Sequence, residues 1–187
     1  DLEENLLKFA NDNLKENYQN LKNKITFEKK DILKNNIEKK FDLIVSKDTF
    51  EHTLNLEGVL KKMYDLLDIG GKAYIGFGPL YNFYNGDHGR ARALLPWFHL
   101  ILPENYLINK INKKRELKIN SIEDLGLNKY SFKKYQYIFE NCGLEIEYFK
   151  TNITNNPIAF FFRILSKIKL LKEYCTFNIY CILKKRD

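Results

Sequence analysis

Residues 41 to 79 hold the pattern that most constrains the fold: two short apolar runs on either side of a helical one. The runs Phe41–Ser46 and Lys72–Phe77 are short and contain β-branched or aromatic residues, as strands do. Between them, the apolar residues of Leu56–Leu67 recur every three or four positions, which predicts an amphipathic helix. A helical connection of this length joins parallel strands, so the stretch predicts a βαβ unit in an α/β sheet.

Ionisable residues follow each of the two predicted strands. Glu51 and His52 come soon after the first, and Asp87 and His88 lie in a Gly-Asp-His-Gly turn after the second. Ligands of open parallel sheets bind at the carboxyl ends of the strands, so a site is expected there. Glu51 could orient His52 as a general base, with His88 also on the acceptor side. Alternatively, Glu51 and His52 only brace the following helix, and His88 is a satisfied loop histidine.

The remaining segments predict further elements around this unit. An amphipathic helix over Leu2–Leu14 is expected to pack on a sheet, and Phe41–Ser46 to be covered on both faces. The Gly70-Gly71 pair should end the central helix. The other predicted elements are a strand at 25–27 ending at Asp31, a helix from Ser131 to Asn141, strands at 144–149 and 177–183, and a helix at 157–171.

Residues 80 to 129 show no βα repeat and are too long for a plain loop, so we expect a functional insertion. Its aromatic residues could line an acceptor pocket or form a small core of their own. His99 lies among apolar residues in the sequence, and we expect it to have a structural role and not a catalytic one. The aromatic residues in question are Tyr81, Phe83, Tyr84, Trp97 and Phe98.

Composition limits the classes of partner and cofactor. The chain of 187 residues has a net charge of +7, but its lysines are spread along the sequence, so no nucleic-acid footprint is expected. Three cysteines without CxxC spacing indicate neither a zinc site nor a disulfide framework, and fit a reducing, cytoplasmic location. No tight set of His, Cys and Asp ligands occurs in the sequence, so no metal is predicted.

The run FDLIVSKDTFEH, followed by LKKMYDLLDIGGKAYIGFGP, resembles the middle of a class I S-adenosylmethionine-dependent methyltransferase. The resemblance implies a Rossmann-like sheet with an antiparallel last strand, and S-adenosyl-L-methionine as cofactor. One departure is the turn Leu67-Asp68-Ile69-Gly70-Gly71, where Ile69 replaces the proline usual in that family. The acceptor implied is a small molecule or a glycan or lipid precursor.

The resemblance also assigns residues to the cofactor and the acceptor. Asp1 would hold the ribose and Asp31 with Ile32 the adenine, although Asp1 could be a frayed end and Asp31 a turn cap. The backbone of Ser46, Lys47 and Asp48 would line the methionine part. The residues expected to meet the acceptor are Glu51, Tyr81, Asp87 and Trp97, with His52 and His88 as candidate catalytic residues.

A methyltransferase of this class normally opens with a strand and a Gly-x-Gly-x-Gly turn, and no such turn occurs here. The resemblance therefore implies that residues 1–187 are an N-terminally truncated, incomplete domain, inactive by itself. Two alternatives remain. One is a nicotinamide-dependent enzyme of similar topology. The other is a non-enzymatic basic and aromatic module that binds a membrane surface or nucleic acid. Residues 158–172 motivate the latter, although their pattern favours burial.

Overall fold

The computed structural model describes residues 3–90, 95–153 and 157–187. The chain divides into two compact units, Asp1–Lys39 and Lys40–Asp187. The elements of the second unit are β1 (Phe41–Lys47), α2 (Leu56–Leu66), β2 (Leu67–Phe77), α3 (Phe98–Ile101), α4 (Glu104–Asn112), α5 (Phe132–Glu140), β3 (Glu145–Thr151), α6 (Pro157–Leu165), α7 (Lys172–Cys175) and β4 (Ile179–Lys184); α1 (Glu4–Asn17) belongs to the first.

The first unit consists of α1, a 3₁₀ turn at Gln19–Leu21 and irregular chain. Leu14 is the buried residue of α1, whereas Leu6 and Phe9 are exposed. The predicted strand at 25–27 is wrong. A strand requires a neighbour with which to exchange backbone hydrogen bonds, and the Ile25 N–H instead donates to the Leu21 carbonyl, 3.1 Å away, in a turn.

The second unit is built on a four-stranded sheet of order β1-β2-β4-β3. Strands β1 and β2 run parallel, joined through α2, which confirms the predicted βαβ unit. Strand β4 is antiparallel to both β2 and β3, which gives the predicted antiparallel last strand. Ser131 caps α5 as expected, its hydroxyl accepting from the Lys134 N–H at 3.0 Å.

The junction of α2 and β2 differs from the prediction. Helix α2 ends at Leu66 and the chain becomes extended at Leu67, so the Gly70-Gly71 pair does not end the helix. Both glycines instead pair with the chain beyond β4: Gly70 N–H donates to the Lys185 carbonyl at 2.9 Å, and Lys185 N–H donates to the Gly71 carbonyl at 3.0 Å. Gly70 has a φ of +79°, a conformation that glycine adopts without strain.

One face of the sheet is buried and the other is exposed. On the buried face, the Phe77 ring packs at a tilt against Tyr135 of α5, with a centroid separation of 4.8 Å, and against Phe50 at 5.6 Å. On the other face, Val45 is 68% exposed and Leu43 is 52% exposed. The prediction that β1 is covered on both faces is therefore wrong. A continuous apolar run indicates burial of both faces only where both are packed against another layer.

The 80–129 segment has its own small core, formed by residues of α4 and of the turns that follow it, with Tyr81 packed against them. These buried residues are Leu107, Ile111, Ile119, Ile122, Leu125 and Leu127. Residues 81–90 and 95–97 form turns and bends. The functional role expected of the segment stays a prediction.

Helix α6 is not buried as its composition predicted, and it ends at Leu165 rather than 171. Phe161 is 57% exposed, and Phe160 and Ile164 are exposed as well. Phe162 attaches the helix to the domain by packing on Tyr84 and Phe83, at ring separations of 5.4 and 4.9 Å. None of the helices in the described ranges combines the length and the apolar character that crossing a bilayer requires.

Asn128 joins the end of the insertion to the turn after β1. Its side-chain amide donates to the carbonyls of Phe50 at 2.7 Å and Thr53 at 3.1 Å, and its N–H donates to the Glu51 carbonyl at 3.1 Å. Its side-chain oxygen accepts from the Tyr135 hydroxyl at 2.9 Å. Because all of these groups are buried or partly buried, the network fixes the position of the 50–53 turn.

Removing one hydroxyl tests this network. Tyr135→Phe should lower the free energy of unfolding by about 1–2 kcal/mol, because the hydroxyl is lost from a buried hydrogen bond. Tyr137→Phe on the same helix is the matched control, since Tyr137 is 62% exposed, and it should change stability by less than about 0.5 kcal/mol. Urea denaturation followed by circular dichroism measures both. Equal effects of the two variants would contradict the structural role of Asn128.

Candidate active site

The carboxyl ends of β1 and β2 lie side by side because the two strands are parallel and in register, with Lys47 opposite Gly76. The Asp48 N–H donates to the Gly76 carbonyl at 2.8 Å, which extends the pairing one residue past β1. The chain then turns into a 3₁₀ helix, Phe50–His52. One Glu51 carboxylate oxygen accepts from the Gly78 N–H at 3.2 Å, which ties this turn to the residues after β2.

Glu51 is a buried carboxylate, only 3% exposed. Its second oxygen, Oε2, is also buried and has no hydrogen-bond partner within the described ranges. The same is true of Oδ2 of Asp87, in the loop after β2. Burial raises the pKa of Glu51, while the bond from Gly78 acts in the opposite direction. A buried carboxylate oxygen without a partner is costly, and such atoms concentrate where ligands bind.

His52 and His88 face each other at this place, with ring centroids 5.1 Å apart. His52 Nδ1 lies 2.6 Å from the Gly126 carbonyl, and His88 Nε2 lies 3.1 Å from the Pro79 carbonyl. A carbonyl oxygen only accepts, so each of these nitrogens carries the hydrogen. The other nitrogen of each ring, Nε2 of His52 and Nδ1 of His88, therefore has a lone pair. Burial lowers the pKa of His88, which favours its neutral form.

The structure thus brings together three of the residues predicted from the sequence. We refer to Glu51, His52 and His88 as the Glu51 cluster. Each offers one possible ligand atom, and these atoms all lie within 4.8 Å of one another. The roles assigned to these residues and to Asp87 stay predictions.

Arg90 also belongs to this site, although it was not among the residues predicted from the sequence. Its Nη1 donates to the Leu125 carbonyl at 2.5 Å and lies 3.4 Å from the Gly126 carbonyl, the group that holds His52. Asn128, likewise missed, fixes the backbone of Glu51. The only sequence signal for either was position: Arg90 follows the Gly-Asp-His-Gly turn, and Asn128 ends the insertion.

The three residues assigned to the cofactor at the end of β1 lie beside this cluster in sequence. The side chains of Lys47 and Asp48 form an exposed ion pair, and Asp48 has a φ of +50°. An apolar groove of about 270 Å³ on the exposed face of the sheet includes Ser46 and Lys47 but no member of the Glu51 cluster. Two carboxylates, of Asp48 and Glu51, stand within this short segment, and such a donor set fits a cationic ligand.

Of the other predicted cofactor residues, Asp31 and Ile32 lie in the first unit, and Asp1 lies outside the described residues. Asp31 closes a turn: its Oδ1 accepts from the Leu33 N–H at 2.9 Å, and Lys34 lies 3.7 Å from its other oxygen. This is the capping role that the sequence left open for Asp31. The assignment of Asp31 and Ile32 to adenine stays a prediction.

Two of the predicted acceptor residues pack within the aromatic part of the insertion. The carbonyl of Tyr81 accepts from His99 Nε2 at 2.6 Å, and the two rings meet edge to face. Burial raises the pKa of Tyr81 to about 12, so its hydroxyl stays protonated. The ring of Trp97 lies 6.0 Å from Tyr84 and 6.3 Å from Phe162. His99 is buried, as expected of a structural histidine.

Residues 1–73 match the family model described as a methyltransferase domain. No curated protein matches the chain significantly.

Solved structures resemble the chain over nearly its whole length, at low sequence identity. An S-adenosylmethionine-dependent methyltransferase from Clostridium acetobutylicum has 14% identity and a TM-score of 0.57, over 100% of this chain and 74% of its own. The cyclase SpnF has 10% identity and a TM-score of 0.60, over 99% and 64%. A possible exported protein from Bordetella parapertussis has 13% identity and a TM-score of 0.54, over 100% and 52%.

The chain thus spans about half to three quarters of the length of these structures. Their identities are low, so the likeness shows a shared fold, and the presence of a cyclase among them shows that this fold does not fix the reaction. The family match covers the first unit, β1, α2 and the start of β2. The predicted α/β fold, family and cofactor class agree with these findings. Residues 1–73 therefore resemble the methyltransferase-domain family, and the chain shares its fold with S-adenosylmethionine-dependent methyltransferases.

Proposed function

We propose that this chain supplies the acceptor side of an S-adenosylmethionine-dependent methyltransferase that methylates a small molecule, including a glycan or lipid precursor. One observation carries the proposal: in a methyltransferase fold, the carboxyl ends of two parallel strands present a buried carboxylate beside two histidines. Ligands of such sheets bind at this edge. When bound, the cofactor supplies a methyl group on a sulfonium, already activated for transfer.

The cofactor assignments are those that the resemblance implies. The backbone at Ser46, Lys47 and Asp48 would line the methionine part of the cofactor. The carboxylate of Asp48 is suited to the positive charge that the cofactor carries. In the first unit, Asp31 and Ile32 are proposed for adenine and Asp1 for the ribose.

On the acceptor side, His52 and His88 would face the acceptor's nucleophilic atom with the ring nitrogens that no carbonyl holds, either directly or through a bound ion. The carbonyls of Gly126 and Pro79 hold the two rings in place, so the acceptor would meet oriented groups. Tyr81, Asp87 and Trp97 would provide the outer part of the acceptor site, with the Tyr81 hydroxyl as a hydrogen-bond donor.

Two finer proposals concern the chain as a whole. The first is that these residues are one part of a longer methyltransferase domain and bind the cofactor weakly by themselves; the exposed β1 strand and sheet face support this. The second is a cytoplasmic location, supported by the free thiols of Cys142, Cys175 and Cys181.

Cofactor binding tests the first assignment. In the full-length protein that contains this chain, Asp48→Asn should weaken S-adenosylmethionine binding about two- to fivefold, because an exposed charge near a cationic ligand contributes little more than that. Asparagine tolerates the left-handed backbone at this position, so the fold should be unaffected. Isothermal titration calorimetry measures the affinity.

The matched control is Asp42→Asn, an exposed carboxylate at the opposite end of the same strand, which should leave the affinity unchanged. A folded full-length protein that does not bind the cofactor would disprove the proposed function. Micromolar binding by residues 1–187 alone would disprove the proposal that this chain is insufficient.

A specific observation also favours the membrane-surface function as a second activity of the same domain. The apolar residues of α6 and the turn after it face solvent, including Phe160, Phe161 and Leu170, and basic residues stand among them, as in Arg163 and Lys167. Exposed aromatic and aliphatic residues with interspersed positive charges are the features of a helix that lies on an anionic bilayer. We propose that α6 makes this peripheral contact.

Vesicle binding tests this second function. The double variant Phe160→Ser/Phe161→Ser should lose most of the binding to phosphatidylglycerol vesicles, because the inserted apolar area supplies much of the affinity. Leu117→Ser is the control, since Leu117 is 81% exposed but lies outside α6, and it should bind normally. Cosedimentation at low and high salt measures binding. If the wild-type protein does not bind anionic vesicles at low salt, the proposal is disproved.

A further inference from the structure

The Glu51 cluster has the composition and the arrangement of a metal site. Two members come from the 3₁₀ turn after β1 and the third from the loop after β2, and one ligand atom of each lies within 4.8 Å of the others. No metal site was predicted from the sequence, because no closely spaced set of His, Cys and Asp ligands occurs in it. The fold brings the ligands together from distant positions instead, which a search for local spacing does not detect.

The hydrogen bonds of both histidines prepare them to bind a metal. A metal-binding imidazole usually donates its other N–H to a carbonyl or carboxylate, which fixes the tautomer and the ring orientation. His52 does so to the Gly126 carbonyl at 2.6 Å, and His88 to the Pro79 carbonyl at 3.1 Å. Each ring therefore keeps one nitrogen lone pair for a ligand.

Glu51 provides the second, independent observation. Only 3% of its surface is exposed, and one of its carboxylate oxygens accepts a hydrogen bond from the Gly78 N–H. The other oxygen is buried and has no partner in the described part of the chain. A buried carboxylate in that condition is stabilised by a cation, and burial of an unpaired charge is otherwise strongly unfavourable.

We propose that Glu51, His52 and His88 bind a divalent transition-metal ion. Two imidazoles and one carboxylate are the protein ligands of several catalytic zinc and iron(II) sites, and they leave coordination positions for a substrate. A tetrahedral ion with bonds of about 2.1 Å places its ligand atoms roughly 3.4 Å apart, so the most distant pair must approach by at most roughly 1.4 Å. Rotations of the three side chains of the cluster would have to supply this movement.

The metal also narrows the acceptor class, an extension that rests on the proposed function. An open coordination position would take an oxygen of the acceptor, and the ion would lower the pKa of an acceptor hydroxyl so that its proton passes to solvent water. The oxygen would then form a bond to the methyl carbon as the carbon–sulfur bond of the sulfonium breaks and the neutral thioether leaves. The acceptor would then be a molecule with an ionisable oxygen, methylated at that oxygen. A histidine that uses its lone pair to bind the ion cannot accept a proton there, so His52 and His88 would act as ligands and not as bases.

Cobalt(II) is the probe, because its visible absorption reports coordination directly. We expect one Co²⁺ to bind per chain of 187 residues and Zn²⁺ to displace it. His88→Ala, His52→Asn and Glu51→Gln should each weaken Co²⁺ binding at least tenfold. His99→Gln is the matched control: His99 is buried and also held by a carbonyl but lies outside the cluster, so binding should persist.

Circular dichroism identifies the variants that fold, and only these are scored. The proposal is overturned if folded wild-type chain shows no saturable Co²⁺ absorption, or if the folded cluster variants bind Co²⁺ as well as His99→Gln does. S-adenosylmethionine binding by the full-length protein in excess chelator separates the two hypotheses. Cofactor binding without Co²⁺ binding overturns the metal alone, and Co²⁺ binding without cofactor binding overturns the methyltransferase function.

Discussion

The parallel pairing of β1 with β2 is the constraint on which the site depends. Because the strands run in the same direction, the residues that follow Lys47 and those that follow Phe77 leave the sheet at the same edge. The bond between the Gly78 N–H and the Glu51 carboxylate can form only in that arrangement. In an antiparallel pair the two segments would lie at opposite ends of the strands.

The insertion is the second structural support of the site. It contributes the Gly126 carbonyl to His52, the Leu125 carbonyl to Arg90, and the side chain of Asn128 to the backbone of the 50–53 turn. The small core of the insertion holds these groups in place, with Leu125 itself part of it. The later part of the insertion is thus part of the scaffold of the site, separate from most of the aromatic residues that precede it.

The sequence predicted the elements whose signals are local. The βαβ unit followed from apolar periodicity, and α5 followed from the Ser131 cap and the helical pattern after it. The failures concern features that depend on distant partners. Residues 25–27 have strand composition but no neighbouring strand, and Gly70-Gly71 pairs with Lys185, more than a hundred positions away. The same holds for the site. Glu51 and His88 could be predicted because each follows a strand. Their proximity to each other, and the contacts made by Arg90 and Asn128, depend on residues far apart in the sequence.

The Gly126 carbonyl serves both the His52 ring and the Arg90 guanidinium, and it belongs to the segment that is proposed to meet the acceptor. A change in this segment that alters acceptor preference would consequently also alter the orientation of the His52 ring. A chimera that places the corresponding segment of a related protein at 95–127 would therefore also change the groups that hold His52 and Arg90. Unless the new segment places a carbonyl where Gly126 has one, nothing would hold the hydrogen on Nδ1 of His52, and the tautomer of that ring would no longer be fixed.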